Sequence, residues 1–489
     1  MHVFMCMNKI IFCLIALLAV AACMKDDAYI VSSTAELTFS TDTVALDTVI
    51  AGQGSNTYTF EVYNKQNKAI RITRVWLENG AASDFKVNVD GSALTSGETN
   101  DLEIAAKDSM RVFLFVKTKD LNADTPQRTS DKLYFQTEGG FIGVVILNAF
   151  GQSVTTFKGK VIERDTILSS RRPYQIYDSL VIAKDATLSV SPGVRFYFHP
   201  GAQLIVHGKL LARGTLSSPI IMRGDRLGNM FSQQAYDNIP GQWGGVVFTQ
   251  ESFNNEMDYV DIHSGNFGIR CDSSAVSQLK LKLTNSIVHN TKGDGIFAKV
   301  CNLKINNCQL TNAGGNCLTL LGGSYDFVHC TIGNFYMFAG GRGVALSFTN
   351  AEGDVRLPLE RLDFINCILT GYGADEILGS KGKRYDNDPF NFSFRNCLID
   401  MPKPVEQEDL AHFINCFWDN SEDGKVSRED NFSPKFDLKK LTFSFQLDSL
   451  SQAVGNADIE QARLLSPVDR LGRSRLHGRG ADIGCYQRQ

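Results

Sequence analysis

The sequence lacks an excess of basic residues, a closely spaced cysteine pair and a mature apolar run long enough to span a membrane. Its 49 Lys and Arg are outnumbered by 53 Asp and Glu, giving a formal net charge of -4, so it offers no basic field for nucleic acid. Its 12 cysteines include no C-x-x-C pair, so neither a zinc ribbon nor a thioredoxin-like motif is expected. The 11 apolar residues of Ile10–Val20 are too few to cross a ~30 Å hydrocarbon layer.

The N-terminus has the pattern of a secreted protein. Lys9 precedes the apolar run, and residues 20–23 read Val-Ala-Ala-Cys, which predicts a signal peptide over residues 1–22. Small residues before a Cys resemble the lipobox of bacterial lipoproteins, and this resemblance implies that Cys23 is lipidated. The alternatives are a plain secretory signal with an incidental Cys and a start at Met7.

Residues 23–35 are interpreted as a lipidated linker. Residues 24–27 read Met-Lys-Asp-Asp and resemble the acidic tag that sends some Gram-negative lipoproteins to the outer face of the outer membrane. This resemblance implies an outer-membrane protein that faces the cell exterior. A solvated charge pair within a linker is an equal alternative.

Two domains are expected after the linker, because 489 residues are too many for one hydrophobic core. From residue 36 to 155, short β-branched and aromatic runs separated by turn residues predict a β-sandwich of seven strands. The predicted strands are Leu37–Phe39, Tyr58–Tyr63, Ile70–Leu77, Phe85–Val89, Arg111–Val116, Lys132–Gln136 and Phe141–Asn148. Residues 60–64 and 70–75 resemble the immunoglobulin-like domains of the abnormal-spindle/hydin type. Such modules position or space other domains, so this one is interpreted as a stalk.

An internal repeat predicts the fold of residues 156–489. Residues 281–290 recur 22 positions later as residues 303–312, and a related core returns at 364–369, 394–399 and 413–418. A unit of this length, rich in Ile, Val, Phe, Asn and Gly, fits one coil of a β-solenoid. Coils stack ~4.8 Å apart, so equivalent residues align in columns. One interior column of small fillers is predicted from Ser286, Cys308, Cys330, Cys367, Cys397 and Cys416.

The flanks of the repeat resemble right-handed parallel β-helix proteins. Residues 186–194 and 204–214 are similar to their opening coils, and residues 466–486 to the closing segment of secreted members. The resemblance implies an all-β chain in which an N-terminal immunoglobulin-like β-sandwich is followed by a right-handed parallel β-helix with a C-terminal closing segment. About ten to twelve coils are expected between about residues 180 and 445. The fold hosts lyases, glycosidases, adhesins and proteins without a known reaction, so it implies no activity.

The sequence contains no complete catalytic set. The Asn-Thr-Asp, Gly-Asp-Asp, Gly-His-Gly and Arg-x-Lys motifs of pectin-type hydrolases are missing. Residues 356–361 match the Arg-x-Pro-x-x-Arg string of pectate lyases, so Arg356 and Arg361 are candidate catalytic residues, with calcium expected only in that case. The companion Trp-Ile-Asp-His string and the calcium aspartates are absent, and loop and edge charges are the favoured interpretation. No other cofactor and no metal site is predicted.

Binding residues are sought on the solenoid faces and in long insertions. His263, His289 and His329 are interpreted as occupying related coil positions and, with Lys292, Asp294 and Arg342, as lining one face. The insertions Ser347–Glu360 and Gly371–Pro389 are further candidates, because loops on a rigid scaffold carry recognition. Their candidate residues are Tyr372, Lys381, Lys383, Arg384 and Tyr385, with Trp418 as a further ring for stacking on sugars. Solvated turn residues are the alternative for the histidine set.

The combined expectation is a lipid-anchored protein on the outside of the outer membrane that binds glycans or acts as a scaffold. Its expected partners are the outer membrane, through the anchor, and polysaccharides or surface proteins. Nucleic acid is not expected. The alternative function is a polysaccharide lyase acting on uronic-acid-containing glycans.

Overall fold

The computed structural model describes residues 29–231, 233–384, 387–419, 426–478 and 480–488. The chain forms two compact units: one runs to Lys119 and resumes over Gln127–Gly151, and the other comprises Asp120–Pro126 and the residues from Gln152 onward. Within the described residues, no helix has both the length and the apolar character needed to cross a membrane. Cys23 lies outside the described residues.

Two five-stranded sheets form the first unit. In order across the first sheet, the strands are Thr38–Phe39, Tyr58–Tyr63, Ser109–Val116, Phe85–Val89 and Ser92–Ala93. Across the second, they are Thr43–Ile50, Ile142–Gln152, Gln127–Thr137, Ile70–Leu77 and Glu98–Ile104. A 3-10 helix covers Gly80–Ala82.

The core of the first unit lies between these sheets. In Ser109–Val116 every second side chain is buried, because successive side chains of a strand point to opposite faces. The buried set joins Leu133 and Val145 of the second sheet in one apolar cluster. The predicted β-sandwich is therefore confirmed, while its kinship with the abnormal-spindle/hydin type stays a prediction.

Three strands of the sandwich are not among the seven predicted: Thr43–Ile50, Ser92–Ala93 and Glu98–Ile104. The last of these is mostly polar and forms a sheet edge beside Ile70–Leu77. Cross-strand ion pairs, such as that of Arg74 with Glu98 at 2.5 Å, accompany this pairing. Pairing with a neighbour, rather than an apolar pattern of its own, therefore defines this strand.

The coils of the second unit contribute strands to three faces. The first face is a ten-stranded parallel sheet with one strand per coil, so the described chain forms ten coils, as expected. Its strands are Thr166–Leu168, Thr187–Val190, Lys209–Arg213, Asn255–Asp258, Leu281–Thr284, Asn302–Asn306, Gly323–Val328, Leu359–Ile365, Phe390–Arg395 and Phe413–Ile414.

The second and third faces share one 18-stranded sheet, because Thr155–Ile162 and Tyr174–Ile182 run across both. The second face continues through Arg195–Phe198, Ile220–Gly224, Val260–His263, Ile287–Thr291, Gln309–Ala313, Thr331–Asn334, Ile368–Gly371, Leu398–Ile399 and Phe417–Trp418. The third face continues through Gln203–Val206, Gly245–Phe248, Ile269–Cys271, Ile296–Lys299, Leu318–Leu321, Leu346–Thr349 and Ile377–Ser380.

Small elements interrupt or follow the coils. Two hairpins pair Asn229–Phe231 with Gln234–Ala235 and Ala351–Glu352 with Val355–Arg356. Helix α1 spans Gln407–Leu410, helix α2 spans Ile459–Leu465, and 3-10 helices cover Tyr236–Asn238 and Arg428–Asn431. The expected insertion Ser347–Glu360 is narrower than predicted, because its ends belong to third-face and first-face strands.

A left-handed corner joins the first face to the second. Its residues have φ of 47–60°, a conformation that costs most residues roughly 1–2 kcal/mol and that Asn adopts more readily. They are Tyr259, Asn285, Asn307, His329, Asn366, Asn396 and Asn415. The amide of Asn307 donates to the side-chain oxygen of Asn285 at 2.8 Å. The amide of Asn366 instead donates to the carbonyl of Asp458 at 3.1 Å.

The residue after each corner points into the solenoid. The strand registers align Thr284, Asn306, Val328, Ile365, Arg395 and Ile414. Each of these precedes by two residues a member of the predicted cysteine column, which is therefore confirmed. The backbone N–H of Cys330 lies 3.3 Å from the sulphur of Cys367, which lies one coil further along. The thiols pack as fillers, and all nine cysteines of the described chain are free.

The solenoid ends before residue 420, earlier than the expected limit near 445. The described residues from 426 onward (426–478 and 480–488), named here the strap, run back over the second face instead. Phe432 and Phe445 of the strap pack with outward-facing Ile368 and Leu398, all fully or almost fully buried. Arg475 is buried and donates to Asn307 at 2.7 Å. The closing segment thus covers one face of the solenoid.

The strap also buries an unusual carboxyl group. Asp400 is 3% exposed and lies 3.4 Å from the Arg428 guanidinium of the strap. Neighbouring Asp419 accepts hydrogen bonds from Thr370 at 2.7 Å and from Asn431 at 2.9 Å. Burial, and then the charge of Asp419, raise the pKa of Asp400 to about 7. This carboxyl is sealed within the fold.

The thiols of the solenoid are expected to be protected. In a chain that begins at Met24, at most Cys416 should react rapidly with Ellman's reagent, and all nine should react after unfolding. Eight of the nine are buried, and burial raises the pKa of Cys485 to about 12, which disfavours the reactive thiolate. Rapid native labelling of several thiols would contradict the interior column.

The variant Asp400→Asn should be more stable than the wild type at high pH. The folded state holds the Asp400 proton more tightly than the unfolded state, whose pKa is about 3.9. Stability is therefore lost as pH rises from about 4 to 7. Urea unfolding at pH 8 should show a gain on the order of 1–2 kcal/mol, reduced by loss of the Arg428 ion pair.

The gain of Asp400→Asn should disappear at pH ~3, where the wild-type carboxyl is mostly protonated in both the folded and the unfolded state. The control Asp185→Asn changes an exposed carboxylate on an early coil and should show no such growth with pH. A difference between Asp400→Asn and the wild type that stays constant between these pH values would refute the assignment.

Candidate functional site

An open groove runs along the third face. The strand register places Arg270 beside Phe297, and Phe297 beside Thr319 of the next coil. All three point outward, since their strand neighbours Ile269, Ile296 and Leu318 are buried. The groove encloses about 660 Å³ and is lined by Gln250, Phe267, Arg270, Asp272, Ser273, Asp294, Phe297 and Lys299.

The groove combines two half-buried phenyl rings with charges of both signs. Arg270 donates to Asp272 at 2.9 Å, and Lys299 pairs with Glu352 at 2.6 Å. Asp294 accepts from the backbone N–H of Asn316 at 2.9 Å, which fixes its carboxylate at the rim. The groove therefore presents apolar rings flanked by donors and acceptors, and the sequence analysis identified only Asp294 of this set.

A second polar cluster lies on the second face. His263 and His289 occupy neighbouring coils in register, with their ring centroids 4.9 Å apart. His263 is held between two carboxylates: Nδ1 lies 2.8 Å from Asp261 and Nε2 lies 2.6 Å from Asp237. His289 Nε2 lies 3.3 Å from the same Asp261 oxygen. Asp237 comes from the insertion between two coils and also pairs with Arg223 at 2.7 Å.

The charged groups of this cluster stabilise one another's ionised forms. Burial alone would lower the pKa of His263, but Asp261 and Asp237 raise it to about 9. Burial opposes ionisation of Asp261 as well, yet His263 and His289 hold its pKa well below the usual range. In the metal-free chain the cluster is therefore an ion-paired network.

A cleft of about 390 Å³ adjoins this cluster. His289, Gln309 and Thr311 form its floor, and strap residues 441–446 form part of its wall. Tyr486 of the strap donates to Gln309 at 2.7 Å. His289 thus borders this cleft.

The expectation that the histidine set lines one face is wrong. His329 lies in the left-handed corner, fully buried, with its Nε2 3.0 Å from the Asn366 amide. Lys292 is exposed in the bend between faces, and Asp294 lines the groove on the third face. His329 aligns with the corner residues Asn307 and Asn285, and Asn285 precedes His289 by four residues, so the two histidines occupy different positions within their coils.

The candidate lyase residues do not form one site. Arg356 lies on a hairpin and is bidentately paired with Asp388. Arg361 lies on the first face, paired with Asp326 at 2.6 Å and with Asp363 at 2.8 Å. Both guanidinium groups are engaged by carboxylates, as expected of loop and edge charges.

The remaining binding candidates are dispersed. Tyr372 packs edge-on against Phe335 under the strap, and Arg342 pairs with buried Glu376 at 3.0 Å. Arg384 pairs with Asp354 on the surface. Lys381 and Lys383 are exposed near this pair, Trp418 packs against the core at the last coil, and Tyr385 lies outside the described residues. These candidates do not converge on one site.

The comparisons with known proteins concern the fold. The family model "right handed beta helix region" matches residues 199–334. The protein bark beetle of Drosophila melanogaster is 29% identical over 117 residues, covering 22% of this chain and 4% of that protein. The chain thus spans a small part of the curated relative that it matches.

Solved structures with likeness to the chain cover different shares of it. The catalytic domain of a GH87 alpha-1,3-glucanase, solved with tetrasaccharides, is 10% identical over 77% of this chain and 91% of that chain, with a TM-score of 0.29. An ASH/PapD-like domain of human CEP192 is 10% identical over 27% of this chain and 92% of that chain, with a TM-score of 0.17. The family model, together with the parallel coils, identifies the second unit as a right-handed parallel β-helix.

Proposed function

We propose that this chain is a surface-exposed outer-membrane lipoprotein that binds a glycan in the groove of its third face. The observation that carries this proposal is the pair of half-buried phenyl rings, Phe267 and Phe297, among charged groups in an open groove. Ligand sites combine apolar walls with a few placed polar groups in this way.

A sugar chain fits this arrangement chemically. A pyranose ring has an apolar C–H face, which packs on an aromatic ring, and a rim of hydroxyl groups, which hydrogen-bond to charged side chains. Arg270 and Lys299 supply donors, and Asp272 and Asp294 supply acceptors. Because the groove crosses successive coils, it can accommodate an extended polymer.

Binding is favoured over catalysis by the state of the charged groups. The carboxylates of the groove are engaged by Arg270 and by the backbone of Asn316. The carboxyl group with the strongly raised pKa, Asp400, is sealed under the strap. Arg356 and Arg361, the residues that a lyase would use, are each paired with carboxylates. Glycoside cleavage and uronate elimination both need such groups to be accessible to the substrate.

The membrane anchor is proposed from the N-terminal pattern alone. Lys9, the apolar run and the Val-Ala-Ala-Cys string ending at Cys23 support lipidation, and Asp26-Asp27 supports the outer face. The anchor would hold the solenoid at the cell surface, where extended glycans are encountered.

The variant Phe297→Ala should bind glycan about tenfold more weakly, since an aromatic anchor contributes roughly 1–2 kcal/mol. The measurement is a screen of the purified chain against neutral and uronic-acid polysaccharides, followed by titration calorimetry with a ligand that binds. Phe113→Ala is the matched control, because Phe113 is an exposed phenyl ring on a sandwich strand. An equal loss of glycan affinity in both variants, or no loss in Phe297→Ala, would contradict glycan binding in the groove.

The same screen tests the lyase alternative. Each polysaccharide is incubated with and without calcium, and the ultraviolet absorbance of unsaturated uronides is followed. We expect no growth in absorbance. Calcium-dependent growth that is lost in Arg356→Ala or Arg361→Ala would replace the binding function by a lyase.

The variant Cys23→Ala should lose its membrane anchor. Processing that is sensitive to globomycin and partition into the detergent phase should both disappear, because no acceptor for the lipid remains. Cys416→Ala, which changes a cysteine of the solenoid, should keep both properties. Continued membrane retention of Cys23→Ala would rule out lipidation at this residue.

A further inference from the structure

The cluster on the second face has the composition of a transition-metal site. One ligand atom from each of Asp261, His263 and His289 lies within 4.8 Å of the other two. Two of these separations are measured directly: the Asp261 oxygen lies 2.8 Å from His263 Nδ1 and 3.3 Å from His289 Nε2. Ligand atoms around tetrahedral zinc, bound at 2.0–2.1 Å, lie about 3.3 Å apart.

We propose that Asp261, His263 and His289 bind a divalent transition-metal ion of the zinc type. Two imidazoles and one carboxylate are a ligand set that suits zinc better than calcium or magnesium, which prefer oxygen ligands. The ion takes the place of the proton shared between His263 and Asp261, and that proton is released to solvent. This site is separate from the groove and does not depend on the proposed glycan function.

The surroundings of His263 match those of a metal-bound histidine. Its Nε2 lies 2.6 Å from Asp237 while its Nδ1 faces Asp261. A ligating imidazole commonly donates its second N–H to a carboxylate, which fixes the ring and increases its basicity. Asp237 is held in turn by Arg223 at 2.7 Å. The chain thus provides both the ligands and a carboxylate behind one of them.

The site is open to solvent at two of its three residues. The His263 side chain is 6% exposed, whereas the side chains of Asp261 and His289 are each 22% exposed, and His289 borders the cleft of about 390 Å³. Three protein ligands leave a fourth position of a tetrahedral ion free for water or another small ligand. Gln309 and Thr311, hydrogen-bonded to each other at 3.1 Å, lie beside His289 on the cleft floor.

The solenoid itself explains why these residues meet. His263 and His289 are directly paired in adjacent parallel strands, and Asp261 is two residues before His263 on the same side of its strand. Residues two apart on a strand share a face. All three ligands therefore lie on rigid strands. Asp237, the carboxylate behind His263, comes from an insertion.

The test is titration of the untagged, metal-free chain with Zn²⁺ by calorimetry and with Co²⁺ by visible absorption. We expect one ion per chain and a tetrahedral Co²⁺ spectrum without a thiolate charge-transfer band, because the ligands are nitrogen and oxygen. His289→Ala and His289→Gln should abolish this stoichiometric binding. Asp237→Asn should weaken it about 10- to 100-fold without abolishing it.

The matched control is His199→Ala. His199 forms a histidine–carboxylate pair with Asp225 at 2.8 Å on an earlier coil, and its removal should leave zinc binding unchanged. Circular dichroism verifies that each variant keeps its β-structure. Absence of binding to the wild-type chain, or undiminished binding to both His289 variants, would overturn the proposed site.

Discussion

The left-handed corner between the first and second faces determines which side chains of each coil point into the solenoid and which point outward. In six successive coils an Asn or His in the left-handed conformation is followed at once by a Ser or Cys that points inward, and in the coil before them Tyr259 is followed by Val260. A slip of one residue would place the inward residue in the strained corner and turn every following side chain to the opposite face. Insertions of different length are therefore tolerated between coils, because the next corner restores the alternation of inward and outward side chains. His263 and His289 are stacked for this reason: Tyr259 has the same left-handed conformation before the strand of His263 as Asn285 has before the strand of His289.

The repeat made the solenoid predictable. The spacing of residues 281–290 and 303–312 correctly placed the cysteine column, because each coil repeats the same local preferences. The site was less predictable. Phe267 and Phe297 lie by short strands of the third face that carry no cysteine landmark, and Asp237 reaches His263 only through the path of an insertion. His329 was misplaced because its position within the coil was not compared with that of His289. His289 is followed two residues later by a threonine, whereas His329 directly precedes a cysteine of the interior column.

The strap decides which face remains available to ligands. It covers outward-facing Ile368 and Leu398 and satisfies corner groups through Arg475 and Asp458. In the coils that carry the groove, the third face keeps half-exposed rings and charges at its surface. The proposed glycan groove and the proposed metal site therefore lie on different faces, one open and the other bordered by the strap.

The late position of the strap in the chain has a consequence for biogenesis. A nascent chain can stack its coils as they emerge, because each coil contacts mainly its neighbours. Ile368 and Leu398 nevertheless stay uncovered until Phe432 and Phe445 have followed. During that interval the unfinished solenoid carries an apolar band that can associate with a second unfinished copy. Truncation before residue 426 would prolong this vulnerable stage indefinitely, so a prematurely terminated chain becomes a substrate for chaperones and proteases.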